Sequence, residues 1–167
     1  VEADAVVHTA HHLFFTMNFT WQDIRLTGIT AAADQWQNNA RLRNTPYFFA
    51  NTGVHFDGKI NRLLPGSRFR LYAYYHFVRE YYLETIPRRL EPGGWLGLWG
   101  KARVNTALVI PDQHLLSAGC TFFPRKDGLS VGVEVKNILN HHLYDNYRVQ
   151  KAGRSLHVKL AYLLRKS

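Results

Sequence analysis

From Ser155 to Leu164 the chain reads SLHVKLAYLL. Leu156, Val158, Leu160, Tyr162 and Leu164 alternate with Ser155, His157, Lys159, Ala161 and Leu163. A strand sends successive side chains to opposite faces, so this spacing predicts one apolar and one mainly polar face. The pattern recurs along the chain. Residues 12–24 set Phe15, Met17, Phe19 and Trp21 against Thr16, Asn18, Thr20 and Gln22, and residues 47–56 set Phe48, Ala50, Val54 and Phe56 against Asn51 and His55. Residues 68–78 set Phe69, Leu71, Ala73, Tyr75 and Phe77 against Arg68, Arg70, Tyr72, Tyr74 and His76. Residues 115–123 and 129–138 repeat it through Leu116, Ala118, Cys120 and Phe122, then Leu129, Val131, Val133 and Val135. A weaker strand near residues 1–7 brings the expected number to seven.

Helical spacing fits these segments badly, and Phe, Tyr, Val and Thr favour strands. A short helix is expected only at residues 31–41, within a loop. Connections alternate in length. Residues 9–11, 57–67 and 124–128 are short or moderate, whereas 25–46, 79–114 and 139–154 are long. Such alternation belongs to outer-membrane barrels, with short periplasmic turns and long extracellular loops. A strand of about 11 residues rises roughly 36 Å and, tilted near 45°, spans an apolar band of about 25 Å. Trp21, the pair Tyr81 and Tyr82, and the pair Tyr144 and Tyr147 stand where aromatics would meet a lipid–water boundary.

Seven strands do not close a barrel, because open edges leave backbone groups unpaired in hydrocarbon. The expectation is an all-β fold of about seven antiparallel transmembrane strands, completed by strands outside this sequence. An Arg or Lys facing lipid near the midplane would cost about 2–4 kcal/mol, so the Phe, Val and Leu rows should face lipid. The row holding Arg68, Arg70, Tyr72, His76, Glu134, Lys136, His157 and Lys159 should then face the lumen.

Composition sharpens this picture in four ways. No apolar run approaches the roughly 18 residues of a membrane helix. The formal charge of +9 is scattered over turns and polar strand faces, so no nucleic-acid partner is expected. The chain starts at Val1 with no visible signal peptide, so a missing N-terminal part is expected. Cys120, the lone cysteine, excludes an internal disulfide and reads as a small hydrophobe.

Candidate chemistry is sparse. The histidine pairs His11–His12 and His141–His142 fall at opposite ends of the expected barrel without metal-ligand spacing. No nucleophile elbow, ordered triad or phosphate-binding glycine loop is present, so neither an enzyme nor a cofactor is expected. Glu80 and Glu84 read as solvated. The segment PGGWLGLWG in the longest loop places Trp95 and Trp99 among Arg88, Arg89, Lys101 and Arg103. Aromatics with guanidinium groups suit a flat or anionic ligand, through stacking and bidentate charge pairing. The plainer alternative is a tryptophan hairpin packed at the membrane boundary or touching lipopolysaccharide phosphates.

Three stretches resemble the C-terminal end of a TonB-dependent outer-membrane receptor of the Bacteroidetes type. Residues 42–53 read LRNTPYFFANTG, similar to a loop-to-strand junction. Residues 129–145 read LSVGVEVKNILNHHLYD, similar to the family's penultimate strand with its Asn-Leu segment. Residues 146–164 read NYRVQKAGRSLHVKLAYLL, similar to its closing strand, and Ile110-Pro111 stands where an Ile-Pro often precedes the antepenultimate strand. The resemblance implies that residues 1–167 are the C-terminal part of a 22-stranded barrel domain in the outer membrane of a Gram-negative bacterium. It implies import of a large scarce nutrient, such as a ferric siderophore or haem, with TonB-derived energy. Implied partners are the nutrient ligand, outer-membrane lipid and lipopolysaccharide, the plug and remaining strands of the same receptor, and the TonB complex. The chain departs from the family in ending on Leu164-Arg165-Lys166-Ser167 rather than on an aromatic. The alternatives are another porin-like barrel, or a soluble basic β-sandwich or barrel that binds a polyanion.

Overall fold

The computed structural model describes residues 1–9, 12–60, 65–95, 100–124, 128–145 and 148–162. Trp99, Tyr147, His11, Leu163 and Leu164, named above, lie outside them. Seven strands form one antiparallel sheet: β1 (Glu2–His8), β2 (Leu13–Trp21), β3 (Phe48–Ile60), β4 (Ser67–Val78), β7 (Gln113–Phe123), β8 (Leu129–Lys136) and β9 (Ser155–Tyr162). A two-stranded hairpin, β5 (Tyr81–Tyr82) with β6 (Val109–Ile110), lies inside the longest connection. Sheet neighbours follow chain order, with β1 and β9 at the edges. The three short connections share one end of the sheet, and the three long ones share the other.

Register aligns the alternating rows across all seven strands. Val7 pairs with Phe15, Phe15 with Val54, Val54 with Ala73, and Ala73 with Ala118; beyond them Cys120 pairs with Val133, and Val133 with Val158. One continuous apolar face results. Every Asp, Glu, Lys and Arg of the seven strands falls on the opposite face, from Glu2 and Asp4 through Asp57, Arg68 and Glu134 to Lys159. No second sheet covers the apolar face among the described residues. Phe15 is 41% exposed, Val133 43% and Leu160 72%. No helix is long and apolar enough to cross a membrane, which says nothing about crossing by strands.

Two aromatic bands border this face. Phe19, Trp21, Phe48 and Phe77 lie toward the long-loop end, with Phe19 and Phe77 ring centroids 6.4 and 6.0 Å from Phe48. Phe56, Phe69 and Phe122 lie toward the short turns, Phe56 and Phe69 5.9 Å apart. Smaller side chains such as Ala50, Thr52, Ala73 and Ala118 fill the interval.

The polar face is knitted by side chains. Asn51 donates to Asn18 at 2.7 Å and also meets the His76 ring, while Arg70 donates to Asp57 at 2.6 and 2.9 Å. Two tyrosines lie across glycines on the neighbouring strand. Tyr74 pairs with Gly53 and Tyr72 with Gly119, and a Cβ on either glycine would stand 2.5–2.8 Å from tyrosine atoms. Only a residue without a side chain admits the ring so close.

Candidate functional site

The long connections fold together into a cap. Beyond β2 the chain stays extended, and Arg25 faces Arg41 across an antiparallel bridge, flanked by Leu26 N–H to Ala40 O and Leu42 N–H to Ile24 O at 2.9 Å each. Between these arms lies a 3-10 turn, Ala32–Gln37, shorter and tighter than the helix expected at 31–41. The Asn38 amide closes the excursion, accepting from Ile29 N–H and donating to Ile29 O.

The 79–112 connection, expected to lack regular structure, carries the β5–β6 hairpin and 3-10 turns at Arg88–Leu90 and Thr106–Leu108. Tyr81 and Tyr82 are 2% and 4% exposed, which corrects their expected place at a lipid boundary. They pair with Ile110 and Val109 inside the cap, and Tyr82 O accepts from Asn44 N–H at 2.7 Å. Asp112 accepts from Arg79 Nη1 and Glu80 N–H, both at 2.7 Å, pinning both ends of the connection. Glu80 is half-buried with Oε1 sealed from solvent, not solvated as expected, whereas Glu84 is exposed. The third loop joins through Tyr144 N–H to Gln113 Oε1 at 2.8 Å.

At the centre sits a charged cluster. Glu91 accepts from Arg25 at 3.0 and 3.2 Å and from Arg41 N–H at 3.3 Å; Arg41 Nε donates to Asp23 at 3.1 Å. The Arg41 and Glu91 side chains are only 7% and 6% exposed. The Arg41 guanidinium lies 4.2 Å above the Tyr47 ring, its Nη1 buried and unpartnered. Burial raises the pKa of Tyr47 and Tyr82, so both hydroxyls stay protonated. Burial also raises that of Glu80, with Arg79 opposing.

Three clefts open on this cap, and two of them hold arginines expected from the sequence to touch ligand. The first, about 500 Å³, runs between Trp21, the Asp23–Arg25–Arg41–Glu91 cluster and the guanidinium groups of Arg88 and Arg89. The second, about 530 Å³, is lined by Trp36, Ile86, Leu90 and Leu108 with Arg89 and Arg103 among them. The structure therefore brings Arg88 with Arg89, and Arg89 with Arg103, but not all the expected contacts together. Trp95 and Lys101 are exposed and line neither cleft. Arg25, Arg41, Glu91 and Trp36 were missed from sequence, because their grouping depends on loop-to-loop packing across as many as 66 positions. Guanidinium groups beside an apolar wall suit an anion with a flat or greasy body. Among the described residues no group of three or more His, Cys, Asp or Glu could hold a metal ion.

No family model and no curated protein matches this chain. Solved structures do. The chain superposes on BauA, the ferric preacinetobactin receptor of Acinetobacter baumannii, with TM-score 0.66 and 15% identity, covering 95% of this chain and 21% of that one. It also superposes on a G324V mutant of PfeA, the ferric enterobactin receptor of Pseudomonas aeruginosa, with TM-score 0.63 and 14% identity, covering 96% and 21%. This chain thus spans about a fifth of the length of either receptor. Both neighbours are receptors rather than enzymes, and the seven-stranded sheet with its loops has the fold of a segment of such a receptor.

Proposed function

We propose that this chain is part of the wall of a TonB-dependent outer-membrane receptor that imports a large, scarce, anionic nutrient such as a ferric siderophore. One observation carries the reading: a single-layered sheet whose charged residues all share one face while its other face is apolar and exposed. In water such a face would cost about 25 cal/mol for each Å² of apolar surface; against acyl chains it costs nothing. The aromatic bands fit this solvent. Phe48 and Phe56 are eight residues apart on β3, about 27 Å of strand, which at a tilt near 40° gives roughly 20 Å of height within a band of about 25 Å. The edges at β1 and β9 carry backbone groups that hydrocarbon leaves unsatisfied, so further strands of a barrel, 22 in all, complete the wall.

The long connections lie on the extracellular side in this reading, and the second cleft, with Trp36, Arg89 and Arg103, is the ligand-facing element. Trp95 and Lys101, exposed on the same loop, add ligand contacts in this reading although they do not line the cleft. The plug, the TonB complex and outer-leaflet lipopolysaccharide are the partners. The test is to express the full gene in a Gram-negative host, extract membranes with urea and alkaline carbonate, and measure uptake of radiolabelled ferric siderophores. Retention in the membrane pellet, a heat-modifiable gel band and TonB-dependent uptake are expected. A monomer soluble without detergent would overturn the reading.

A further inference from the structure

Histidine pairs adjacent in sequence carry no metal-ligand spacing, but the fold gives one of them a distant neighbour. His114 pairs with Phe77 across β4 and β7, so an imidazole stands in the row that forms the aromatic band. Its ring centroid lies 5.1 Å from that of Phe77 and 5.2 Å from that of His141. His114 is half-buried, whereas His141 is exposed.

Both rings are held from behind. Asn137, 2% exposed and at φ 51°, ends β8 in the left-handed region. Its side chain accepts from His141 N–H at 3.1 Å and donates to His141 O at 2.9 Å, closing a tight turn around that residue. Ile138 N–H donates to Leu116 O at 2.8 Å and lays the turn on β7. On the other side the Tyr75 hydroxyl meets His114 Nδ1 at 2.7 Å. With Nδ1–H donating to the phenol oxygen, Nε2 keeps its lone pair, which is how an outer partner prepares an imidazole for a metal.

The separation fits chelation. Two imidazoles that each aim a nitrogen at one ion, about 2.1 Å away, have centroids roughly 4.6–5.3 Å apart for angles from square to tetrahedral. The rings are 5.2 Å apart and tilted 60°, so they do not stack face to face. We propose that His114 and His141 seat a divalent transition ion of the kind imidazole favours, such as Zn²⁺ or Cu²⁺, which staples the connection after β8 to β7. No third His, Cys, Asp or Glu joins them among the described residues, so the ion's other positions stay open to water and it exchanges readily. The site is separate from the arginine-lined clefts and stands on the fold alone, so its fate is independent of the transport reading.

The test uses the full-length protein, purified without a histidine tag and titrated with Zn²⁺ by calorimetry and with Cu²⁺ by electron paramagnetic resonance. His114→Phe keeps a ring in the band but removes the ligand, and His141→Ala removes its exposed partner. Each should weaken Zn²⁺ binding at least tenfold and lose the splitting from two nitrogens in the Cu²⁺ spectrum. Tyr75→Phe should weaken binding about tenfold through the lost support to Nδ1, an effect that ring packing alone would not produce. His157→Asn, on the polar face of β9, should change nothing. Zn²⁺ should also slow hydrogen exchange at the Ile138 amide in the parent protein but not in His141→Ala. Absence of Zn²⁺ binding, or His114→Phe and His141→Ala variants that bind as the parent does, would overturn the proposal. Equal weakening by His157→Asn would do the same, by placing the ion elsewhere.

Discussion

The sheet keeps its large apolar side chains outside, with Val158 and Leu160 more than two-thirds exposed, whereas the cap buries part of its own. Ala40, Tyr47, Tyr81, Tyr82, Ile86, Ile110 and Leu143 are the buried hydrophobic residues among those described, and none belongs to the seven strands. The two regions are therefore organised in opposite ways. The cap is organised as a water-soluble domain is, around a small core with charge pairs sealed beside it. The sheet has no core of its own and depends on what surrounds it.

Breaking the cap should leave the sheet standing. Glu91→Ala removes the carboxylate that Arg25 and Arg41 share and leaves buried Arg41 with Asp23 alone, and losing one member of a buried ion pair costs up to about 3–5 kcal/mol. Hydrogen exchange should then accelerate at Asn44 and Leu83, whose amides bond across the cap, while β3 and β4 stay protected. Loss of protection in both regions would mean that they fold as one unit.

Breaking the sheet needs a charge on the other side. Val133→Arg places a cation in the middle of the apolar face, at an expected cost of about 2–4 kcal/mol if that face meets lipid. The heat-modifiable band should weaken, whereas Lys136→Ala on the polar face should not change it. A smaller effect is expected from Gly53→Ala, whose methyl would meet Tyr74 and Thr16 and cost about 1–3 kcal/mol through overpacking. Adding Tyr74→Ala should recover part of that loss in a double-mutant cycle of urea unfolding.

The smallest expected effect is a pH dependence confined to the cap. Burial raises the Glu80 pKa above its ordinary 4.5, so the closed cap holds that proton more firmly than the open chain does. Its contribution favours closure at acid pH and fades as pH rises from 4.5 through the raised value. Exchange at Asn44 should quicken over that window after correction for the intrinsic rate. Glu80→Gln should flatten the profile.

Legibility from sequence divides along the same line. The expected strand 68–78 is found at Ser67–Val78, and the expected 115–123 at Gln113–Phe123, because period-two alternation is a local signal. β3 runs four residues past its expected end at Phe56, with Asp57 and Lys59 on the polar face and Gly58 opposite Phe69. The cap was hardly legible. Tyr81 and Tyr82 look like boundary aromatics because they follow a strand, yet Ile110 and Val109, nearly thirty residues on, cover them. Of the arginines expected to touch ligand, Arg88 and Arg89 gain their setting from Arg25, Arg41 and Glu91, which no local spacing links.

The tyrosines seated on Gly53 and Gly119 bear on how the strands find one another. A slip of β3 against β4 by two positions would preserve both faces, so hydrophobicity alone does not forbid it. It would set Tyr74 against Asn51 or His55 in place of Gly53, where a side chain fills the notch. Each such notch acts as a keyway that admits its ring at a single alignment.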